Sequence, residues 1–347
     1  MRKLLLFLNL IILYSCNGNS REDEIAVAPS NLAISATVIG ANAQNPNGNG
    51  TGTVNFSLSA TNATSYKILL GNGETKELTS GDFTYTYTTS GTNTYVIYVS
   101  AYNSGHFISS KLSLTVFVGS SLVWSDEFNI DGAPDASKWN FQVWDPGYVN
   151  DELQSYTNRS ENTIVEGGVL KIKAIREQYG KGEFTSGRLE SNGKFDFTYG
   201  KIVIRAKLPT GVGTWPAVWM LGSNIGSVGW PACGEVDILE SVGKELNVNH
   251  SSLHSPGRSG NTPDTGTINV PNDNTEFHIY TADWKAGSIK FYVDDKLFYT
   301  FVNSDKFPFN KNFYLIVNLA MGGVWGGPVD PNFTSSTFEI DYIRVYN

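Results

Sequence analysis

Three carboxylic acids stand close together in an otherwise apolar stretch. Residues 233–243 read CGEVDILESVG, and Glu235, Asp237 and Glu240 are spaced by two residues and then by three. On a strand, residues two apart share a face, so Glu235 and Asp237 point the same way. Strict alternation would turn Glu240 into the apolar layer, where an unpaired charge is costly. The spacing therefore predicts a one-residue β-bulge near residues 238–239, which would return Glu240 to the acid face.

Three acids on one concave sheet face are compatible with different roles. Hard cations such as Ca²⁺ take oxygen ligands, so the acids could hold a metal. Glycoside hydrolysis with retention uses two carboxyl groups about 5–5.5 Å apart as nucleophile and acid/base. The middle acid would then share a proton with its neighbours and separate their pKa values. The spacing favours glycoside hydrolysis and leaves a metal site and an acidic face without chemistry open.

The composition limits which partners such a face could serve. The chain has 347 residues, of which 40% are apolar and 13% aromatic, enough for one large domain and a smaller companion. The net charge is −8, and no basic block follows the extreme N-terminus. This argues against nucleic acid or an anionic membrane surface as a partner, and mildly against a polyanionic substrate.

The elements that must position the acids read as β-strands throughout. Residues 122–347 contain strand-like runs such as GKIVIRAKL, SIKFYVDD and FYLIVNLAM between Gly-, Asn- and Pro-rich turns, with no sustained amphipathic helix. This pattern predicts an all-β domain, a large two-sheet sandwich or jelly roll. Residues 28–118 contain shorter alternating runs and predict a smaller β-sandwich. A spacer role is favoured for it over a glycan-binding role.

The N-terminus resembles a bacterial lipoprotein signal peptide over residues 1–16. Two basic residues precede an apolar stretch too short to span a bilayer, and LYSC resembles a lipobox ending at Cys16. The resemblance implies that Cys16 is lipidated. The acidic, polar residues 17–27 resemble the surface-export tether of some Bacteroidetes lipoproteins. We therefore expect an outer-membrane lipoprotein that faces the cell surface and meets the membrane only through its lipid.

Cys233 then has no disulfide partner and is expected to be a small buried residue that fills space in the core.

The run GEVDILE looks like the E-x-D-x-x-E signature of glycoside hydrolase family 16, in its bulged, laminarinase-like branch. The stretches LVWSDEFN, NDELQSYTNR, TSGRLESNGKFDF, GTWPAVWMLG, NLAMGGVWGG and FEIDYIRVY follow in the family's order, so the resemblance covers nearly all of residues 122–347. It implies a curved, concanavalin A-like β-jelly roll with an open glycan cleft on its concave face. In residues 28–118, the run GTNTYVIYVSAYNSG resembles PKD- or immunoglobulin-like modules.

The resemblance also implies roles for the acids. Glu235 would be the nucleophile, Glu240 the acid/base and Asp237 the assisting acid of a double displacement with retention. This mechanism needs Glu240 protonated and Glu235 ionised, so we expect the higher pKa at Glu240.

The residues implied to bind substrate are Asn150, Arg188, Trp215, Trp219, Trp230, His254 and Trp325. Trp215, Trp219 and Trp230 would stack on sugars or fill the core, and Trp325 would lie in a loop that forms a cleft wall. Arg188 would bind hydroxyls or form an ion pair. A hydrogen-bonding role suits His254 better than metal ligation.

The resemblance also implies a possible structural metal site, and the sequence departs from the family pattern at two positions. Members often carry a structural Ca²⁺ on the convex side, and the corresponding groups here are Glu127, the Gly168 carbonyl and Asp341. No cofactor is expected for catalysis. Val203 stands where an acid is common and Asp151 where an asparagine is common, which leaves the sugar subsites open.

The substrate is the least determined part of the interpretation. Enzymes of the bulged branch cut β-1,3-glucan, mixed-linkage β-1,3/1,4-glucan, agarose, porphyran or carrageenan, and an acidic chain disfavours the sulfated galactans. We expect a monomeric retaining endo-β-1,3-glucanase acting on laminarin-type glucans, with mixed-linkage glucan as the alternative. An agarase- or porphyranase-type galactanase is more remote. A non-catalytic glycan-binding lipoprotein, which the complete set of acids disfavours, and a metal-dependent structural protein also stay open.

Overall fold

The computed structural model describes residues 27–347, which form two units whose regular secondary structure is almost entirely β-strand. One unit ends at Gly119 and the other runs Ser120–Asn347. The predicted all-β class is confirmed. The predicted signal peptide, its Cys16 and all but the last residue of the predicted tether lie outside the described residues. Within the described residues, no helix combines the length and apolar character needed to cross a membrane.

The described part of the first unit, residues 27–119, contains seven strands in two antiparallel sheets. The strands are β1 (Ser30–Val38), β2 (Thr53–Thr61), β3 (Ser65–Leu69), β4 (Thr75–Leu78), β5 (Asp82–Thr86), β6 (Gly91–Asn103) and β7 (His106–Val118). The sheets have the orders β1-β2-β5 and β4-β3-β6-β7. In β6, Ile97 and Val99 are buried while Val96 and Tyr98 are exposed, because successive side chains of a strand point to opposite faces.

The second unit contains seventeen strands and two short helices. The strands are β8 (Leu122–Asp126), β9 (Asn140–Phe141), β10 (Gln154–Tyr156), β11 (Thr163–Val165), β12 (Leu170–Tyr179), β13 (Gly182–Ser186), β14 (Arg188–Glu190), β15 (Gly200–Lys207), β16 (Thr214–Gly222), β17 (Glu235–Glu240), β18 (Val248–His254), β19 (Asp264–Asn269), β20 (His278–Lys285), β21 (Ser288–Val293), β22 (Lys296–Val302), β23 (Phe313–Met321) and β24 (Ser335–Tyr346). The helices are α1 (Ile225–Val228) and α2 (Gly323–Gly326).

These strands form two sheets that enclose one large core. The larger sheet has the order β10-β13-β12-β24-β15-β20-β21-β22, with β11 beside β12 and β8 beside β24. The smaller sheet has the order β19-β18-β17-β16-β23-β14-β9. In β23, which lies beside the central strand β16, all nine residues are buried. This strand is covered on both faces, which explains why it reads as a continuous apolar run instead of an alternating one.

A glycine sets the start of β17, the strand that carries the acids. Gly234 has a φ of 83°, in the left-handed region that favours glycine. A Cβ at this position would lie 2.8 Å from the ring of Phe313 and 3.0 Å from Cγ of Pro308. Both the backbone conformation and the close approach therefore require glycine immediately before Glu235.

The substitution Gly234→Ala should lower the free energy of unfolding by about 1–3 kcal/mol, because it combines a strained backbone with a steric clash. Chemical denaturation measures this loss. Gly226→Ala is the matched control, since Gly226 lies in α1 and a Cβ there would meet nothing within 4 Å. Equal stability of the two variants would contradict this account of β17.

Candidate active site

The strand β17 contains the predicted bulge, and the extra residue is Ile238. Asp237 pairs with Trp219 of β16. Val218, which precedes Trp219 in β16, pairs with Leu239, so Ile238 has no partner in β16. The pairing with β18 shifts at the same place, between Asp237 and Glu240. The strand thus has one residue more than its neighbours require.

The bulge separates apolar from acidic side chains in the way that the spacing requires. Ile238 and Leu239 both belong to the hydrophobic core between the sheets. Glu235, Asp237 and Glu240 all line one cleft with a volume of about 910 Å³. The two consecutive core residues are what returns Glu240 to the face of the other acids.

Aromatic side chains make up much of the cleft wall. Those that line it are Trp144, Tyr148, Trp215, Trp219, Trp230, Tyr314 and Trp325. Trp144 and Tyr148 stack on each other with ring centroids 4.1 Å apart, and Tyr148 is well exposed. The sequence interpretation missed this pair, because neither residue lies in one of the motifs that it used. The high aromatic content of the chain is compatible with aromatic residues in the cleft wall, but it does not identify which ones.

Two tryptophans bond to the two outer acids. The indole Nε1 of Trp230 donates to Oε2 of Glu235 at 2.9 Å, and that of Trp215 donates to Oε1 of Glu240 at 2.8 Å. Their exposure differs, because 47% of Trp230 but only 8% of Trp215 is accessible. Trp230 can offer a ring face to a ligand, as expected for a sugar-stacking residue. Trp215 has little ring surface left for that role.

His254 directs a hydrogen-bond donor toward the acids. Its Nδ1 accepts the backbone N–H of Gly260 at 3.2 Å, so the neutral ring carries its proton on Nε2. This Nε2 lies 3.3 Å from Oδ2 of Asp237 and 3.6 Å from Oε1 of Glu235. The buried Oδ2 of Asp237 has no hydrogen-bond partner among the described residues, and Nε2 of His254 is a donor close to it.

The same three residues have ligand atoms close enough to hold a metal ion. Side-chain atoms of Glu235, Asp237 and His254 lie within 4.8 Å of one another, a grouping unique among the His, Cys, Asp and Glu residues of 27–347. A metal-bound histidine nitrogen is unprotonated, and the other ring nitrogen donates a hydrogen bond. In His254 the other nitrogen accepts one from Gly260 instead. The geometry therefore favours a hydrogen-bonding role for His254.

Burial changes the protonation of the acids. Burial and then the charge of Asp237 raise the pKa of Glu235 to about 8, although His254, the Trp230 indole and Arg188 act in the opposite direction. Burial also raises the pKa of Asp237. The pKa of Glu240 lies well above its usual range because of burial and then the charge of Asp237, opposed by the Trp215 indole and His254. The positive charge of Arg188 is among the influences that lower the pKa of Glu235, which favours its ionised form.

Arg188 lines the cleft as one member of an ion pair. Its Nε and Nη2 donate to Oε1 of Glu190 at 3.0 and 2.8 Å. The guanidinium lies between the rings of Trp144 and Trp219, 4.5 and 4.9 Å from their centroids. With 6% of Arg188 exposed, the group chiefly holds these two rings in place. Arg188 therefore forms the ion pair that the sequence analysis gave as the alternative to binding sugar hydroxyls.

A chain of hydrogen bonds connects the exposed Asn150 to the cleft floor. Asn150 donates to Oε1 of Glu152 at 3.3 Å, and the hydroxyl of Tyr156 donates to Oε2 of Glu152 at 3.2 Å. That hydroxyl accepts from Asn318 at 3.1 Å, and the Asn318 oxygen accepts from the Trp219 indole at 2.7 Å. Glu152 is buried and was missed, although it lies two residues after Asn150 in the same motif.

Trp325 forms the wall beside Glu240, as expected for its loop. Its ring is nearly perpendicular to Trp215, 5.5 Å away between centroids, and to His250, 4.9 Å away. Its carbonyl accepts from the ammonium group of Lys244. His250 is the cross-strand partner of Glu240 and was also missed, since its position depends on the register of β17 against β18.

The groups proposed for calcium already have other partners. Both oxygens of Glu127 accept from Arg344, at 2.9 and 2.7 Å. Asp341 accepts from Arg205 at 2.5 Å. A cation would have to displace both arginines, so the carboxylates as placed do not fit a calcium site with the Gly168 carbonyl. Asp341 thus has an arginine as its partner, and calcium binding stays a prediction.

Comparisons with known proteins agree on one family. Residues 149–344 match the family model described as glycosyl hydrolases family 16. The chain is 45% identical over 241 residues to a beta-glucanase of Rhodothermus marinus, covering 65% of this chain and 84% of the relative. It is 38% identical to a glucan endo-1,3-beta-glucosidase of Cryptopygus antarcticus, covering 65% of this chain and 91% of that protein.

A solved structure gives the same result at the level of the fold. The crystal structure of a laminarinase from Flavobacterium sp. UMI-01 superposes with a TM-score of 0.62 at 44% identity. The match covers 65% of this chain and all of that chain. The similar part corresponds in extent to the second unit, which contains the cleft.

The substitution Glu235→Gln should stabilise the protein at pH 8. The pKa of Glu235 is raised from 4.5 to about 8 in the folded state, so its bound proton stabilises the fold fully below about pH 4 and is lost as the pH rises through 8. Glutamine keeps a neutral side chain at every pH. We expect its free energy of unfolding at pH 8 to exceed that of the wild type by at least about 1 kcal/mol, with a smaller gap at pH 5.

Urea denaturation at the two pH values measures this difference. Glu183→Gln is the control, because Glu183 is exposed and lies outside the cleft. A stability gap for Glu235→Gln that is the same at pH 5 and pH 8 would contradict the raised pKa.

Proposed function

The chain belongs to family 16 of the glycosyl hydrolases, and on that premise we propose that it is a retaining endo-β-1,3-glucanase acting on laminarin-type glucans. The observation that carries the proposal is the bulge at Ile238, because it brings Glu235, Asp237 and Glu240 to one cleft. Two outer carboxyl groups with different partners, separated by a third, supply what a double displacement requires.

The proposed reaction divides the chemistry between Glu235 and Glu240. Ionised Glu235 attacks the anomeric carbon while protonated Glu240 donates its proton to the departing glycosidic oxygen. The bond to the leaving sugar breaks and a covalent glycosyl–enzyme forms. Glu240, now ionised, takes a proton from water, whose oxygen attacks the same carbon and releases Glu235. Two inversions give net retention.

The mutual repulsion of the acids assists the change of role at Glu240. The charges of Asp237 and Glu235 both raise the pKa of Glu240, which favours its acid form before reaction. When Glu235 becomes a neutral ester, that part of the repulsion disappears and the pKa of Glu240 falls. Glu240 then stays ionised after it has given up its proton, so it is available as the base that takes a proton from water in the second step.

The charge of the cleft supports a neutral polysaccharide as substrate. Five acids line it: Glu152, Glu190, Glu235, Asp237 and Glu240. Arg188 is the one Lys or Arg residue among the described cleft residues, and it is paired with Glu190. Such a cleft would repel a sulfated galactan. The aromatic rings suit the apolar faces of glucose units, and the names of the relatives favour β-1,3 linkages.

Release of reducing sugar from laminarin, barley β-glucan and agarose tests the proposal. We expect the wild type to hydrolyse laminarin fastest and Glu235→Gln to lose at least about 1,000-fold in rate, because the nucleophile is gone. NMR should show the β-anomer as the first product. Glu183→Gln should behave as the wild type.

Different results would exclude different parts of the proposal. Binding to glucan without release by the wild type would indicate a glycan-binding protein instead of an enzyme. Faster hydrolysis of barley β-glucan or agarose would overturn the substrate. An α-anomer as first product would overturn retention.

We further propose that Cys16 is lipidated and anchors the protein at the outer membrane, with residues 28–118 as a PKD- or immunoglobulin-like spacer. The signal-like residues 1–16 support the anchor. Because one chain carries the complete cleft, we also propose that it acts as a monomer. Cys16→Ser should move the protein from the membrane fraction to the soluble fraction and abolish labelling by a radioactive fatty acid, whereas Cys233→Ala should keep both. A labelled Cys16→Ser variant would contradict the anchor.

A further inference from the structure

The bond between Trp215 and Glu240 has a consequence for proton transfer. We propose that Trp215 is a positioning residue whose indole N–H occupies Oε1 of Glu240 and thereby keeps the transferable proton on Oε2. The proposal rests on the proposed function, because it assigns a role within the acid step of glycoside hydrolysis. It replaces the sugar-stacking role that the sequence indicated for Trp215.

The hydrogen-bonding capacity of indole determines which oxygen of Glu240 can carry the proton. An indole nitrogen donates one hydrogen bond and accepts none. Oε1 of Glu240, 2.8 Å from this nitrogen, is therefore an acceptor whether the carboxyl group is ionised or neutral. In a neutral carboxyl group the carbonyl oxygen is the better acceptor, so Oε1 takes the carbonyl role. The hydroxyl proton is then on Oε2, which has no hydrogen-bond partner among the described residues.

The ring of Trp215 is held too firmly to leave this bond easily. It packs in a small buried cluster with Val242 and Ala320, and Trp325 lies across it. Its backbone pairs with Ala320 on the neighbouring strand β23. Because 8% of the residue is exposed, its nitrogen is delivered to Glu240 from one fixed direction. A preorganised donor of this kind costs no reorganisation during the reaction.

Trp230 provides an internal contrast. It also donates to a carboxylate, Oε2 of Glu235, but nearly half of it is exposed. Its ring face can therefore stack on a sugar while its N–H stabilises the charge of Glu235. Trp215 has the donor without the open face, which is why a positioning role fits it better.

The charged groups around Glu240 determine how its pKa should respond. Glu235 and Asp237 face it from its own strand, and His250 and His254 from β18. From β16 the polar group directed at it is the Trp215 indole. This N–H opposes the raised pKa, so its removal should move the alkaline limb of the pH–rate profile to higher pH.

The test is Trp215→Phe, assayed on the glucan that the wild type hydrolyses and on an aryl β-glucoside with a nitrophenolate leaving group. On the glucan we expect kcat to fall roughly 10- to 100-fold with little change in KM, because proton donation is impaired. On the aryl glucoside the loss should nearly vanish, since that leaving group needs no proton. The alkaline limb should move upward.

Trp139→Phe is the matched control. Trp139 is also buried and its indole also donates to a carboxylate, Oδ2 of Asp126 at 2.7 Å, but it lies outside the cleft. This variant loses the same kind of bond and should keep the wild-type kcat, pH profile and dependence on the leaving group. Incorporation of benzothienylalanine at position 215 is a second probe, because sulfur replaces the N–H while the shape of the ring is kept.

Several outcomes would overturn the inference. A higher KM with unchanged kcat would mean that Trp215 binds sugar. An equal loss on the glucan and the aryl glucoside would mean that it only supports the fold. Wild-type kinetics for the benzothienylalanine protein would exclude any role of the N–H. A wild type that hydrolyses none of the glycans would overturn the proposed function, and this inference with it.

Discussion

The cleft depends on one extra residue in a strand that has a core on one face and acids on the other. Ile238 interrupts the alternation of β17, so that Ile238 and Leu239 both enter the core while Glu240 returns to the face of Glu235 and Asp237. Without it, Glu240 would be turned into an apolar layer between two sheets, where nothing could compensate its charge. The apolar packing of the two core residues therefore determines where the third acid lies.

Three acids placed close together repel one another when they are ionised. Hydrogen-bond donors on neighbouring residues reduce this cost. Each outer acid receives an indole N–H, from Trp230 for Glu235 and from Trp215 for Glu240. His254 adds a donor between Asp237 and Glu235. These donors do not cancel the effect of burial, since the pKa values stay raised. Glu240 thus retains a proton that an ordinary surface acid would lose, which is the state that acid catalysis uses.

The rest of the cleft is held by packing and by polar chains more than by exposed charge. Arg188 is held between two aromatic rings and paired with Glu190, so it shapes the wall without making the cleft basic. Glu152 joins the loop of Asn150 to the floor strand β23 through Tyr156. Rigid placement of aromatic rings around an acidic centre is suited to a long, uncharged polysaccharide.

The sequence by itself determined the all-β class, the face on which each acid lies and the need for a bulge, because these follow from the two-residue period of a strand. Only the tertiary structure decided which partners the polar groups take. The sequence placed Trp215 among the substrate-binding residues and gave no sign of its bond to Glu240. It also gave no sign that Glu127, a possible calcium ligand, pairs with Arg344. Those partners are 25 and 217 residues away along the chain. Local periodicity carries no information about such pairs, since the register and packing of distant strands bring them together.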